Sequence, residues 1–455
     1  MADNRIIKNT EAKKFFNQLG KDFAIINNPE FIFPNYELVP LAPINKAPLK
    51  GLKAIVMDMD GTTTTTEELC TYSLEVMVRK ITGQLSPAQW KGLDHIKDYP
   101  NIIGNSTTKH VEYLIKKYGK GIVKKELSAS YIYASLWTLL IGQDKSRKME
   151  VTSNMINLGL SGIFNESKYI KLSNKQSVSS KELNTLFNSL KSKYITLVKT
   201  TSFNDNVKAA IDIYYQKYHE ILLQIDNGQS KKLSKQFFGD PNKRLIEPMP
   251  GVPVFLALIK GWLGEDIKFL AEDIINNYYN NSTSKNLNKN KITDTLVKLS
   301  RYFTKHPVKV AVVTSSIYYE ANIVLKEVFQ VIQEEIDKWE ISDANKIQLK
   351  EKFADHHKFY DGFITASDSN EIRLKPHRDL YSIALHQLDI PQNEFDQVIG
   401  LEDSESGTIA IRAAGVGLCV AVPFTKTTGH NFNAATYVAN KGLSEIILKY
   451  NCFLK

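Results

Sequence analysis

One stretch narrows what this chain can fold into more than any other: Lys53-Ala54-Ile55-Val56-Met57-Asp58-Met59-Asp60-Gly61-Thr62. A short apolar run bounded by Gly51 and Gly61 reads as a strand buried on both faces, the kind found in parallel sheets. The run ends abruptly in two carboxylates. Residues i and i+2 of a strand share a face, so Asp58 and Asp60 are expected to be close neighbours. Like charges so placed repel, and one is pushed towards protonation unless a cation lies between them. Such a pair suits nucleophilic attack combined with proton transfer. Taken alone, the stretch also reads as a loop with acidic N-cap residues.

Around this strand the chain sorts into three parts. Residues 1–50 form an N-terminal extension, with a helix expected around Glu11 to Leu19. A stretch holding Pro29, Pro34, Pro40, Pro43 and Pro48 follows, expected as extended chain laid over a domain surface. Residues 51–67 and 249–455 carry strands alternating with helices, the pattern of a parallel α/β sheet with right-handed crossovers. Residues 68–248 show helical periodicity, as in Val111, Leu114, Ile115 and Tyr118, and are expected as an all-helical insertion. The threonines of 62–66 read as a linker capping its first helix. Residues 171–181, 228–235 and 276–291 read as polar breaks.

Bulk properties exclude some classes. At 455 residues there is room for two or three domains. The formal net charge of +9 suits anionic substrates, although a Lys- and Asn-rich composition alone also produces it. No Arg-rich patch or recognition motif supports a nucleic-acid partner. The three cysteines lack metal-ligand spacing and suit a reducing compartment. Met1 to Arg5 has no apolar signal core, and no apolar run approaches the roughly 20 residues needed to span a bilayer. The expectation is a cytoplasmic protein without a membrane partner.

Three further stretches sit at strand ends, where open α/β sheets bind ligands. Thr314 and Ser315 follow Val308 to Val313. They offer a hydroxyl and free amides to a phosphate, or only an N-cap. Lys375, before Pro376, is a cation at the mouth of a helix; alone it reads as a solvated lysine. Glu402 and Asp403 end the strand Gln397 to Leu401 as adjacent hard-oxygen donors of the kind Mg2+ takes.

Together these stretches resemble the four motifs of the haloacid dehalogenase-like (HAD) hydrolase superfamily. They run Asp58-Met59-Asp60-Gly61-Thr62, Val313-Thr314-Ser315, Lys375-Pro376 and Gly400-Leu401-Glu402-Asp403-Ser404. The branch they look most like contains β-phosphoglucomutase and phosphoglycolate phosphatase. The resemblance implies a Rossmann-like doubly wound core with a helical cap inserted after the first motif. Pro250-Gly251-Val252 looks like the return to the core, and the insertion is longer than the branch's usual cap. It implies that Asp58 attacks phosphorus and that Asp60 serves as acid and then base. Gly61, Thr62, Thr314, Ser315 and Lys375 would hold phosphoryl oxygens. Mg2+ would be bound by Asp58, the Asp60 carbonyl and Asp403, with Glu402 in or beside that set. The cap would shut over the site, and its Gly104-Asn105-Ser106 looks like the specificity loop, with Lys109 and His110 nearby.

Two positions depart from the pattern. Thr65 stands where the branch often has Asp, and Thr107 where its sugar-phosphate mutases carry Arg. The expected function is a Mg2+-dependent phosphatase acting on a small anionic phosphorylated metabolite. A sugar-phosphate mutase is the alternative among enzymes, and a non-catalytic binding protein on the same core is the third reading.

Overall fold

The computed structural model describes residues 6–28, 32–86, 88–103, 106–278, 288–423, 429–450 and 452–453. The chain divides into two units, residues 1–65 with 246–455, and residues 66–245.

In the first unit, β1 (Asp22–Asn27) and β2 (Tyr36–Leu41) pair antiparallel. Six further strands follow: β3 (Ala54–Asp58), β4 (Lys309–Val313), β5 (Gly362–Ile364), β6 (Val398–Glu402), β7 (Leu418–Ala421) and β8 (Tyr437–Val438). They form one sheet in the order β5-β4-β3-β6-β7-β8, parallel throughout. This is the doubly wound α/β sheet that the strand–helix alternation implies. Every residue of β3 and β6 is buried, which is why both read as unbroken apolar runs. Fully burying a side chain such as Ile55 or Val56 is worth roughly 1.5–3 kcal/mol. The chain leaves β3 for β4 on one side and later returns to β6 on the other. The carboxyl ends of β3, β4 and β6 therefore flank the topological switch point.

The threonine run is not a linker. Thr62, Thr63, Thr64 and Thr66 are buried. They form a tight turn in which the Thr63 and Thr64 amides donate to Met59 O, and Thr63 Oγ1 donates to Asp58 O at 2.5 Å. Thr66 makes no side-chain cap for the helix Glu67–Thr82. The Thr63 hydroxyl, which meets a main-chain oxygen, is buried at little cost, so polarity alone misleads here. Beyond the turn, Thr65 N donates to Glu247 O and Glu247 N to Thr65 Oγ1, both at 2.9 Å, so the outgoing and returning chains run side by side.

The extension is also more ordered than extended chain. The helix forms at Asn9–Leu19, but the proline-punctuated segment makes the β1–β2 hairpin. Its inner face (Ala24, Val39, Leu41) packs on Ile409 and Ala413 of the helix Glu405–Ala413. The buried Arg412 guanidinium ties it down, donating to Ala42 O at 2.8 Å and to Asp22 at 2.9 Å. Pro40 is tolerated because β2 is an edge strand.

The second unit is helical throughout its described residues, and its longest helix is Phe203–Asp226. Ser202 and Asp205 start that helix with a reciprocal capping box. Within it, buried Asp212 pairs with Arg147 and accepts from Asn154 at 3.1 Å. Most of the polar break expected at 228–235 is instead helix, which runs Ser230–Phe238. Leu233 is buried, and Phe237 meets Tyr72 edge-on at 4.6 Å. The break at 171–181 shrinks to 174–179 between the helices Ser167–Ser173 and Ser180–Tyr194. The loop expected at 276–291 falls mostly outside the described residues, between the helices Ile267–Tyr278 and Lys289–Lys305. Among the described residues no helix is long and apolar enough to cross a membrane.

One feature of the core makes its stability pH-dependent. His356 is buried beside Asn322 Oδ1 at 3.2 Å. Burial first, then neighbouring His357, lower its pKa from 6.5 to about 4. The unfolded chain then binds the extra proton between those values, so this contribution is complete above pH 6.5 and is lost as pH falls towards 4. We expect His356→Gln to flatten the loss by up to roughly 3 kcal/mol over that range, as read from denaturant unfolding at each pH. Parallel profiles for variant and parent would refute it.

Candidate active site

Strand β3 delivers Asp58 to the carboxyl edge of the sheet, 4% exposed. Lys375, brought in by the loop before the helix Asp379–Gln387, ion-pairs with Asp58 and with Glu402, the latter at 2.9 Å. Lys375 Nζ also donates to Val313 O at 3.2 Å, which anchors it to the end of β4. Residues far apart in sequence thus meet at one point.

Glu402 closes β6 and is 1% exposed. Tyr381 OH and Lys375 Nζ donate to its Oε2 at 2.6 and 2.9 Å, and Ser404 Oγ donates to its Oε1 at 2.9 Å. Position 407 must be glycine here, because an added Cβ would lie 1.8 Å from Glu402 Cδ. Asp403 follows, buried against Gly61. A Cβ on Gly61 would lie 2.3 Å from Asp403 Oδ2, and its φ of +83° is a left-handed conformation that favours glycine. Ser404 caps the helix Glu405–Ala413 through the Gly407 amide.

Asp60 lies just past the strand. Thr314 Oγ1 and Ser316 Oγ donate to its Oδ2 at 3.0 and 3.2 Å. The Thr314 hydroxyl also accepts from the Ser316 amide at 3.0 Å. Ser315, singled out in the sequence, is half-buried in this loop; it is Ser316 that reaches Asp60. The Gly61 amide donates to Thr64 O at 2.8 Å. Thr62 Oγ1 is buried and finds no hydrogen-bond partner among the described residues.

The electrostatics follow from this crowding. Burial first, then Glu402, push the Asp58 carboxyl well above the usual range; Asp60 adds to this and Lys375 opposes it. Burial works against the Lys375 charge, but Asp58 and Glu402 outweigh it and raise its pKa. Burial and then Glu402 raise the Tyr381 phenol, so it remains a donor. The Lys375 ammonium therefore pairs with two of three clustered carboxylates, Asp58 and Glu402, while Asp403 lies beside them. Single ligand oxygens of Asp58, Glu402 and Asp403 all lie within 4.8 Å of one another. Buried hard-oxygen donors with surplus negative charge fit a divalent cation such as Mg2+.

The other anticipated positions belong to the helical unit. Ser106 precedes the helix Thr107–Tyr118, Lys109 is exposed in its first turn, and His110 is half-buried. Gly104 lies outside the described residues. Sequence reasoning missed Ser316, Tyr381 and the Ser404 side chain as parts of the cluster. Ser316 had a signal, since it stands two residues after Thr314. Tyr381 looks like any aromatic on an apolar helix face.

No family model and no curated protein matches the chain. Solved structures do. CbbY from Rhodobacter sphaeroides in complex with phosphate is 12% identical, over 87% of this chain and 96% of that one, with a TM-score of 0.39. A protein assigned as a phosphoglycolate phosphatase from Lactobacillus delbrueckii subsp. bulgaricus is 15% identical, over 88% and 99%, with a TM-score of 0.35. β-Phosphoglucomutase from Clostridium difficile is 14% identical, over 86% and 91%, with a TM-score of 0.29.

Proposed function

We propose that this chain is a HAD-like, Mg2+-dependent phosphatase acting on a small phosphorylated metabolite. The observation that carries the reading is the convergence of four sequence-distant segments on one buried cluster. Asp58 and Glu402 share Lys375, Asp403 lies beside them, and Thr314 and Ser316 hold Asp60. Buried carboxylates clustered in this way cost stability, and a binding or catalytic role accounts for that cost.

In this reading an Asp58 oxygen attacks phosphorus, and the bond from phosphorus to the ester oxygen breaks. Asp60 gives its proton to that leaving oxygen. Asp60, now a carboxylate, takes a proton from water as the water oxygen attacks the aspartyl phosphate. Inorganic phosphate leaves and Asp58 is regenerated. Lys375 and the Thr62 hydroxyl hold phosphoryl oxygens, and the donors on Asp60 fix its orientation. Asp58, Asp403 and the Asp60 carbonyl would hold Mg2+, which when bound offsets negative charge at the phosphoryl group. Glu402, with both oxygens already engaged, acts beside the ion and fixes Lys375. Free cysteines suit a cytoplasmic setting.

The test is phosphate release from an aryl phosphate with and without Mg2+, followed by a panel of phosphorylated sugars, nucleotides and short acids. Asp403→Ala removes one hard anionic ligand. We expect it to weaken Mg2+ binding by at least ~10-fold in calorimetry and to lower turnover at limiting Mg2+. Unchanged Mg2+ affinity in this variant, or full parental activity after chelation, would overturn the metal assignment.

A further inference from the structure

Eleven of the twenty-five large apolar side chains left exposed among the described residues fall within residues 6–49. They are not scattered. In the helix Asn9–Leu19, Ala12, Phe15, Phe16 and Leu19 follow i, i+3, i+4, i+7 spacing and form one apolar stripe. No residue of that helix is buried; Phe15, Phe16 and Leu19 are 37, 39 and 54% exposed. The Phe16 ring meets Phe23 of β1 edge-on at 5.5 Å, so the stripe runs on to the hairpin. Strand alternation puts Phe23 and Ile25 on the face opposite buried Ala24 and Ile26. Ile25 pairs with Leu38 across the hairpin, and they are 66 and 48% exposed. The inner hairpin face is committed to the helix Glu405–Ala413, while the outer face and the stripe form one apolar surface open to solvent. Surfaces of this kind mark interaction sites.

The rim decides what the surface fits. Lys8, Lys13, Lys14 and Lys21 are all exposed in and beside the helix Asn9–Leu19, where the exposed acids are Glu11 and Asp22, so the segment carries a net positive charge. A second copy meeting this patch about a twofold axis would bring one net positive surface against another. An anionic bilayer meets the same lysines with opposite charge while its acyl boundary receives the phenylalanines and leucines. We propose that the N-terminal helix and the outer face of the hairpin dock the protein on an anionic lipid surface. The contact is peripheral, with the helix lying in the interface plane. It revises the expectation that no membrane is a partner, and it is independent of the phosphatase reading.

The test is co-sedimentation of the full chain with vesicles of phosphatidylcholine alone and of phosphatidylcholine with phosphatidylserine. Circular dichroism melting of each variant checks that it folds. The expected result is binding to the phosphatidylserine vesicles that weakens as salt rises, with little binding to phosphatidylcholine alone. Phe15→Ser combined with Leu19→Ser, and separately Lys13→Glu combined with Lys14→Glu, should each weaken binding by at least ~10-fold. Three results would overturn the proposal: no binding to either vesicle, equal binding to both, or a dimer in light scattering that the Phe15→Ser, Leu19→Ser variant abolishes.

Discussion

Asp58→Asn is expected to lower phosphomonoester turnover by at least ~10³-fold while leaving the fold intact, because it removes the attacking charge at nearly constant shape. Lys375 keeps its second carboxylate partner, Glu402, at 2.9 Å. The substitution also removes an acid whose charged form is disfavoured by burial first, then by Glu402 and Asp60. The variant should therefore unfold at a temperature equal to or above that of the parent when Mg2+ is chelated. Lost activity joined to unchanged or improved stability separates a chemical role from a structural one. Turnover near that of the parent would show that the nucleophile is another group.

Lys375→Met should have the largest effect on stability. The ammonium is buried and partnered by Asp58 and Glu402. Removing one partner of a buried ion pair costs about 3–5 kcal/mol, because the remaining charges stay buried and unpaired. Here two carboxylates are stranded together, and Asp403 lies beside them. We expect a loss of that size in denaturant unfolding with a chelator present, and recovery of part of it with Mg2+. Turnover should fall by at least ~10²-fold even at saturating Mg2+, since a preorganised cation at the phosphoryl oxygens is gone. Unfolding identical to the parent's in the chelated state would contradict the charge accounting. Failure of Mg2+ to restore any stability would remove the metal from this cluster.

Some of this was legible in the residues and some was not. The parallel sheet could be read because strands buried on both faces, such as Ile55 to Met57 and Val310 to Val313, leave unbroken apolar runs. The meeting of Asp58 with Glu402 was foreshadowed by their places at strand ends, and that of Lys375 by its place at the mouth of a helix, although it arrives on the loop before Asp379–Gln387 and not from a strand end. The local chemistry was harder. The i, i+2 logic that pairs Asp58 with Asp60 applies equally to Thr314 and Ser316, yet a Thr-Ser-Ser run does not say which hydroxyl turns inward. Tyr381 gives no spacing signal, because its value depends on the single oxygen of Glu402 that it meets. The threonine turn and the hairpin were hidden by polarity and proline. Both hold through main-chain hydrogen bonds and one buried arginine, none of which leaves an apolar period.

The pairing of Thr65 with Glu247 has a further consequence. The ends of the 66–245 segment are hydrogen-bonded neighbours on the core side. An insertion whose ends meet imposes no span on its host, and the entropy of closing it grows only with the logarithm of its length. Helices can therefore be gained or lost in that segment without straining β3 or the turn behind Asp58. The clasp uncouples the length of the segment from the geometry of the core. The core is held to the geometry its carboxylates demand, while the segment beyond the clasp is free to grow.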